Sequence, residues 1–345
     1  MSKIQKRKEL KKSVLLLVFT STICLLIIVL IIFLTEQNHM SQYREWHDPN
    51  TKFDSELGWV PNENASIISF ENKTISSNAD GFRSEPVNHS KKQIVLVGDS
   101  ITWGYGVSNN ETVSYYLGQI MRANAEGLQV LNLGVSGYGL DQDYLYLKRK
   151  INETEPAWII VIIFAGNDRN ETSTSAMYDR NKPLLVVNDG KLDNVIGKIS
   201  RYDCFNLFSH SYFVSRIRYL KSLESTLCHQ VTLNDEQTTA TITKIFEGFD
   251  SISKENNAKL LFVISPALED FHSVHPVKVE YFAKMLGTKY QYLNYLEYVK
   301  ENRINPDKLY LLAQPDNQWN DTAHYNPGGN KILAEAIYQT LLENN

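Results

Sequence analysis

Cysteine is scarce in this chain, three residues in 345, which rules out a small scaffold held together by several disulfides. Cys24 falls in an apolar N-terminal run, leaving Cys204 and Cys228 as the only downstream pair. In an oxidising compartment these two either pair or stay thiols, because spacing alone does not reveal whether their Cβ atoms approach. Excess positive charge is missing too. A net charge of −4 offers no electrostatic footprint for nucleic acid. No segment repeats at a fixed period and none is low in complexity, so a solenoid is excluded. The remaining composition, 43% hydrophobic and 21% charged, is enough for one large globular domain with attachments.

Charge is also absent from Val14 to Leu34, 21 residues that as a helix are long enough for roughly 30 Å of hydrocarbon. Lys3, Lys6, Arg7, Lys8, Lys11 and Lys12 precede this run, and no comparable basic cluster follows it. By the positive-inside tendency the N-terminus is then cytoplasmic and the rest extracytoplasmic. A cleaved signal peptide is the competing reading. Against it stand an apolar core longer than the usual ~7 to 15 residues and the lack of an Ala-x-Ala-like cleavage site. This division gives a basic tail (1–13), a transmembrane helix (14–34), a polar approach segment (35–90) and a main domain (91–345). Asn-x-Ser/Thr triplets occur at Asn64, Asn72, Asn110 and Asn152. Another, at Asn320, runs through a motif discussed below where a glycan would block chemistry, so the set reads as compositional.

From residue 93 the pattern is α/β. Apolar runs at Gln93–Val97, Gln129–Leu133, Trp158–Phe164 and Lys259–Ile264 read as strands, with Leu309–Leu312 as a fifth. Stretches with helical spacing (Thr112–Asn124, Leu140–Lys150 and Ile332–Leu342) lie among and after them. Continuous apolar strands alternating with amphipathic helices predict a flavodoxin-like, doubly wound parallel sheet. The long, polar, aromatic-rich stretch at about 170–257 breaks this rhythm. It reads as an insertion, partly helical near Tyr212 to Leu223, forming either a lid over a site or a plain packed excursion.

The first strand ends in Gly98-Asp-Ser-Ile-Thr102, which puts the Ser100 hydroxyl just past a strand end, where open α/β sheets keep their ligands. A Gly-Asp-Ser triplet alone is an ordinary turn. Three further blocks follow in order: Asn132-Leu-Gly-Val-Ser-Gly137, Gly166-Asn167-Asp168 and Asp321-Thr-Ala-His324. Together the four resemble the sequence blocks of the SGNH hydrolases, the GDSL-type lipases and esterases, over roughly Gln93 to Leu342. The second Gly of a Gly-x-Ser-x-Gly elbow is lacking, which speaks against the α/β-hydrolase fold. The resemblance implies Ser100 as nucleophile, His324 as base and Asp321 as its orienter. It also implies oxyanion donors from Ser100, Gly137 and Asn167, with Gly134 and Gly139 as rivals for the glycine. Such chemistry calls for neither metal nor organic cofactor. Because the base must be neutral, activity is expected to fall on acidification.

Three other features stay open. Leu57-Gly-Trp-Val-Pro61 and Asn78-Ala-Asp-Gly-Phe-Arg83 resemble a stretch that precedes the nucleophile in envelope members of the family. It either packs two aromatic residues against the domain or lets Arg83 reach a substrate oxygen. Asp270, His272 and His275 form a surface cluster, a rim of the site, or a metal site. The expected activity is that of a membrane-anchored esterase acting on ester-bearing envelope glycan or lipid. The alternatives are an O-acyltransferase, which would need a membrane acyl-donor partner because this chain has one span and no multi-helix channel, and a non-catalytic glycan binder.

Overall fold

The structure, a computed structural model, describes residues 5, 11–28, 50–68, 73–178, 180–199, 230–311 and 321–343. The chain divides into two compact units, Met1–Pro49 with Tyr202–His229, and Asn50–Arg201 with Gln230–Asn345. In the first unit the described element is helix α1, Lys11–Ile28, fully exposed along its apolar length. It is long and apolar enough to cross a membrane, a property that a signal sequence shares. Residues 29–34 of the expected span, Cys204, Cys228 and the expected helix near Tyr212 lie outside the described residues.

The second unit opens with two small antiparallel hairpins, β1 (Thr51–Asp54) with β2 (Gly58–Pro61), and β3 (Ser66–Ile68) with β4 (Thr74–Ser76). The sheet strands and their helices follow: β5 (Gln93–Gly98), α2 (Ser100–Trp103), α3 (Val113–Ala123), β6 (Gln129–Asn132), α4 (Leu140–Lys150), β7 (Pro156–Phe164) and α5 (Asp168–Thr172). After two more hairpins, β8 (Ala176–Met177) with β9 (Arg180–Asn181) and β10 (Leu185–Asn188) with β11 (Lys191–Asn194), come α6 (Asp235–Glu255) and β12 (Lys259–Ser265). The chain then runs through α7 (Leu268–His272), α8 (Val277–Leu286), β13 (Tyr292–Asn294), α9 (Tyr295–Glu301) and α10 (Pro327–Glu343).

Five strands make one parallel sheet in the order β13-β12-β7-β5-β6. Counted along the chain this is 2-1-3-4-5, the flavodoxin-like order, with its switch point between β5 and β7. The sequence accounts for it. β5 is buried at all six positions and β7 at eight of nine, as unbroken apolar strands must be when helices cover both faces. Helix α3 packs on α10, and α4 packs on α6.

Three expectations need correction. The fifth strand is Tyr292–Asn294, not Leu309–Leu312. Leu309 and Tyr310 are buried, but Tyr310 forms only an isolated antiparallel bridge to Tyr325, and Leu312 lies outside the described residues. The stretch 170–257 is not all insertion. Its last part, α6, is the crossover helix into β12, with Ile242, Ile245, Phe246, Phe249 and Ile252 buried at helical spacing. The approach segment is likewise part of the domain from Asn50 onward, because Leu57, Trp59, Val60 and Phe82 belong to the main core.

Arg83 resolves the choice left open for it. Its Nη1 donates to the carbonyls of Trp103 (2.9 Å) and Gly104 (2.7 Å), Nη2 to that of Val107 (2.6 Å), and Nε to Asn109 Oδ1 (2.9 Å). The guanidinium therefore clamps the turn that follows α2, rather than facing a substrate. Arg83→Ala should lower stability by at least the ~1.5–3 kcal/mol of one charge-assisted hydrogen bond. Arg83→Lys should not restore it, since an ammonium cannot fork to carbonyls spread over five residues. Thermal melts of both variants would check this, and a Lys variant as stable as wild type would refute the clamp.

Candidate active site

The site lies at the carboxyl ends of β5, β6 and β7, at the switch point of the sheet. β5 ends on Gly98, whose φ is +149°, and a Cβ there would meet Thr102 Oγ1 at 2.4 Å and the Ile162 carbonyl at 2.5 Å. Only glycine allows so tight a turn into α2. Asp99 caps that helix by accepting from the Ile101 amide (2.9 Å), leaving Ser100 at its first position. Asn132, buried at the end of β6, secures the same helix by donating to the Thr102 carbonyl (2.8 Å).

His324 and Asp321 reach Ser100 from the loop before α10. His324 Nε2 is 2.9 Å from Ser100 Oγ, and His324 Nδ1 is 2.6 Å from Asp321 Oδ2. Asp321 Oδ1 accepts the Ala323 and His324 amides (2.9 and 3.0 Å), so one carboxylate shapes the turn and orients the ring. Burial alone would raise the Asp321 carboxyl. The hydrogen bonds and charge of His324, with these amides, outweigh it and hold the group below the usual carboxylate range. The exposed Tyr105 ring lies over the imidazole, centroids 4.4 Å apart.

Three candidate glycines follow β6. The Gly134 amide is engaged by Asn132 Oδ1 (2.9 Å), and that of Gly139 donates to Gln142 Oε1 (3.4 Å). The Gly137 amide, like that of Ser100, has no acceptor among the described residues. Gly137 adopts φ +78°, in a loop braced by the approach segment: Trp59 Nε1 donates to the Ser136 carbonyl (3.1 Å) and the Tyr138 hydroxyl to the Trp59 carbonyl. Asn167 follows β7, and its Nδ2 donates to Glu171 Oε1 (2.7 Å).

Residues 96–221 match a family model described as the GDSL-like Lipase/Acylhydrolase family. Over those residues, which carry Ser100, Gly137 and Asn167, the chain is similar to that family. Solved structures similar to this chain include TesA, at 12% identity and a TM-score of 0.42, over 72% of this chain and 98% of that one. Another is the acetyl xylan esterase AlAXEase, at 12% and 0.41, over 72% and 98%. A third is the lipase/acylhydrolase from Enterococcus faecalis, at 16% and 0.39, over 72% and 94%. No curated protein sequence matches.

Behind the candidate site lies an acidic interior not apparent from the sequence. Asp99, Asp141, Asp143, Asp168 and Glu171 are all buried, together with Lys182, which pairs with Asp141 at 2.6 Å. Burial pushes the carboxyls of Asp99, Asp141, Asp143 and Asp168 upward and that of Glu171 to about 8, because a dry interior opposes their charged forms. Among the described residues, Asp99, Asp168 and Glu171 are the set whose oxygens approach within a metal-ligand spacing, 4.8 Å. The Asp270, His272 and His275 cluster is not drawn together. Asp270 accepts the Ala267 amide (2.9 Å), and exposed His272 pairs with Asp307 (3.0 Å). Sequence reasoning also missed Tyr105, Glu171 and Tyr178. The last is an exposed residue whose ring lies over Gly137, where an added Cβ would sit 3.0 Å from Tyr178 Cε2.

Proposed function

We propose that this protein is an SGNH hydrolase, a membrane-anchored, extracytoplasmic serine esterase that removes O-acyl groups from envelope glycan or lipid, with glycan favoured. The observation that carries the reading is the unbroken hydrogen-bonded chain from Ser100 Oγ through His324 to Asp321. In that reading His324 Nε2 takes the Ser100 proton as Oγ attacks the ester carbonyl, while Asp321 keeps the other ring nitrogen protonated. The oxygen that becomes negative is met by the Ser100 and Gly137 amides and the Asn167 side chain. His324 then protonates the leaving alcohol, and water resolves the acyl-enzyme along the same path.

The location rests on α1 and the lysine-rich tail before it, which by the positive-inside tendency stays in the cytoplasm. The preference for glycan rests on Tyr105 and Tyr178, exposed aromatic faces beside His324 and Gly137 that suit stacking of a sugar ring. Purified enzyme is expected to release acetate from an acetylated glycan and to move none to an added sugar acceptor. Transfer to the acceptor would replace the hydrolase with a transferase. Protease added to spheroplasts should degrade the domain, and protection there would reverse the topology.

A further inference from the structure

Glu171 has a place in the site that acyl-transfer chemistry does not require in general. It is buried, and its Oε1 accepts two hydrogen bonds, from Asn167 Nδ2 (2.7 Å) and from the Tyr178 hydroxyl. Its Oε2 is buried with no partner among the described residues. Asn167 and Glu171 are four residues apart at the start of α5, so one helical turn delivers both. Tyr178 arrives with φ +52°, a left-handed conformation that a tyrosine rarely adopts. That conformation places its ring over Gly137 and its hydroxyl on Glu171. Strain of this kind persists where the surroundings over-determine it.

We propose that Glu171 is a positioning residue for the acyl-transfer step: its oxygen holds one N–H of the Asn167 amide and thereby aims the other at the oxygen of the reacting acyl group. This rests on reading Asn167 as an oxyanion donor. A carboxamide is planar, with two N–H bonds on one end and an acceptor on the other, so fixing one N–H fixes its partner. The flipped amide would set Asn167 Oδ1 against Glu171 Oε1, acceptor against acceptor. Without Glu171 that flip is no longer opposed, and it would present a lone pair to the developing negative charge.

The carboxyl serves best while neutral. The charged and titratable groups around it are Asp168 on its own helix, Asp99 just past β5, Asp143 on α4, Lys182 after β9, and Tyr178. Burial, then the charge of Asp99, raise it to about 8, against the lowering effect of Tyr178, Lys182 and Asn167. Below that pH it is mostly protonated and adds no charge to the site. Above it a carboxylate stands one amide away from the oxyanion, opposing the transition state.

The test is the pH profile of kcat and KM for hydrolysis of a short-chain aryl ester by wild type, Glu171→Ala, Glu171→Gln and Asn167→Ala. Each preparation is confirmed as folded by its thermal melt. Glu171→Ala should lose roughly tenfold or more in kcat with KM little changed, bounded by the 10²–10³-fold typical of losing a donor outright. Glu171→Gln, with an amide oxygen in the same place, should recover most of that loss at pH 7. It should also lack the fall in kcat that wild type shows as pH rises through about 8. The proposal is overturned if Asn167→Ala is impaired while Glu171→Ala is not, or if Glu171→Gln is no better than Glu171→Ala, or if it keeps the alkaline fall. An active Asn167→Ala would instead remove the reading of Asn167 on which the proposal stands.

Discussion

Ser100→Ala should turn over a short-chain aryl ester about 10⁴–10⁶-fold more slowly than wild type, the scale on which removing a triad nucleophile acts, with its thermal melt unchanged. The change deletes one oxygen at a site that is 7% exposed. The hydroxyl's contacts are His324 Nε2 (2.9 Å) and, at 3.4 Å, Asp99 Oδ2, so little packing is lost. His324→Ala should fall almost as far, because in a triad the hydroxyl and its base act as one unit and their losses do not add. A fluorophosphonate, which reacts only with an activated and accessible serine, should label wild type and neither variant. Folded wild-type protein that takes no label would move the reading to a binder that keeps the fold. A Ser100→Ala variant hydrolysing the ester at more than a small fraction of the wild-type rate would dismiss Ser100 as nucleophile.

The parts of the site readable from sequence are those whose geometry is local. Gln93–Gly98 is apolar at consecutive positions and ends on a glycine, so both the strand and its sharp turn were written in one short stretch. Asp321 and His324 are three residues apart and make their contact within one turn. The errors arose where tertiary packing decides. Leu309-Tyr-Leu-Leu312 looks more strand-like than Tyr292-Leu-Asn294, yet the sheet takes the latter because it lies directly after the α8 crossover and in register with Phe262–Ile264. Helix α6 was hidden by its Thr-, Lys- and Asp-rich exposed side, although its buried residues keep helical spacing. Glu171 gave no signal at all. An acidic residue four after an asparagine reads as a solvated helix face, and its burial follows only from α4, α5 and the Tyr178 turn closing on one another.

Asn167→Ala is expected to lower kcat by about 10²–10³-fold, with a much smaller change in KM. The residue lies at the turn from β7 into α5, at φ −137° and ψ −27°, where the carboxyl ends of the strands converge on Ser100. Its amide is oriented by the bond to Glu171, and Oδ1 is buried without a partner among the described residues, so the side chain adds little to stability. Removing it leaves Glu171 Oε1 still satisfied by Tyr178. The melting temperature should therefore hardly move while the rate falls, which separates a kinetic role from a structural one. A donor acts on the oxygen chiefly once that oxygen carries charge, so the loss belongs in kcat rather than in binding of the neutral ester. Asn167→Asp should be at least as slow as Asn167→Ala, since it exchanges a donor for a carboxylate facing the same oxygen. Steady-state kinetics of the two variants on the aryl ester, with melts in parallel, give the decision. Should Asn167→Ala keep kcat within a few-fold of wild type, the oxyanion would be held by the Ser100 and Gly137 amides alone.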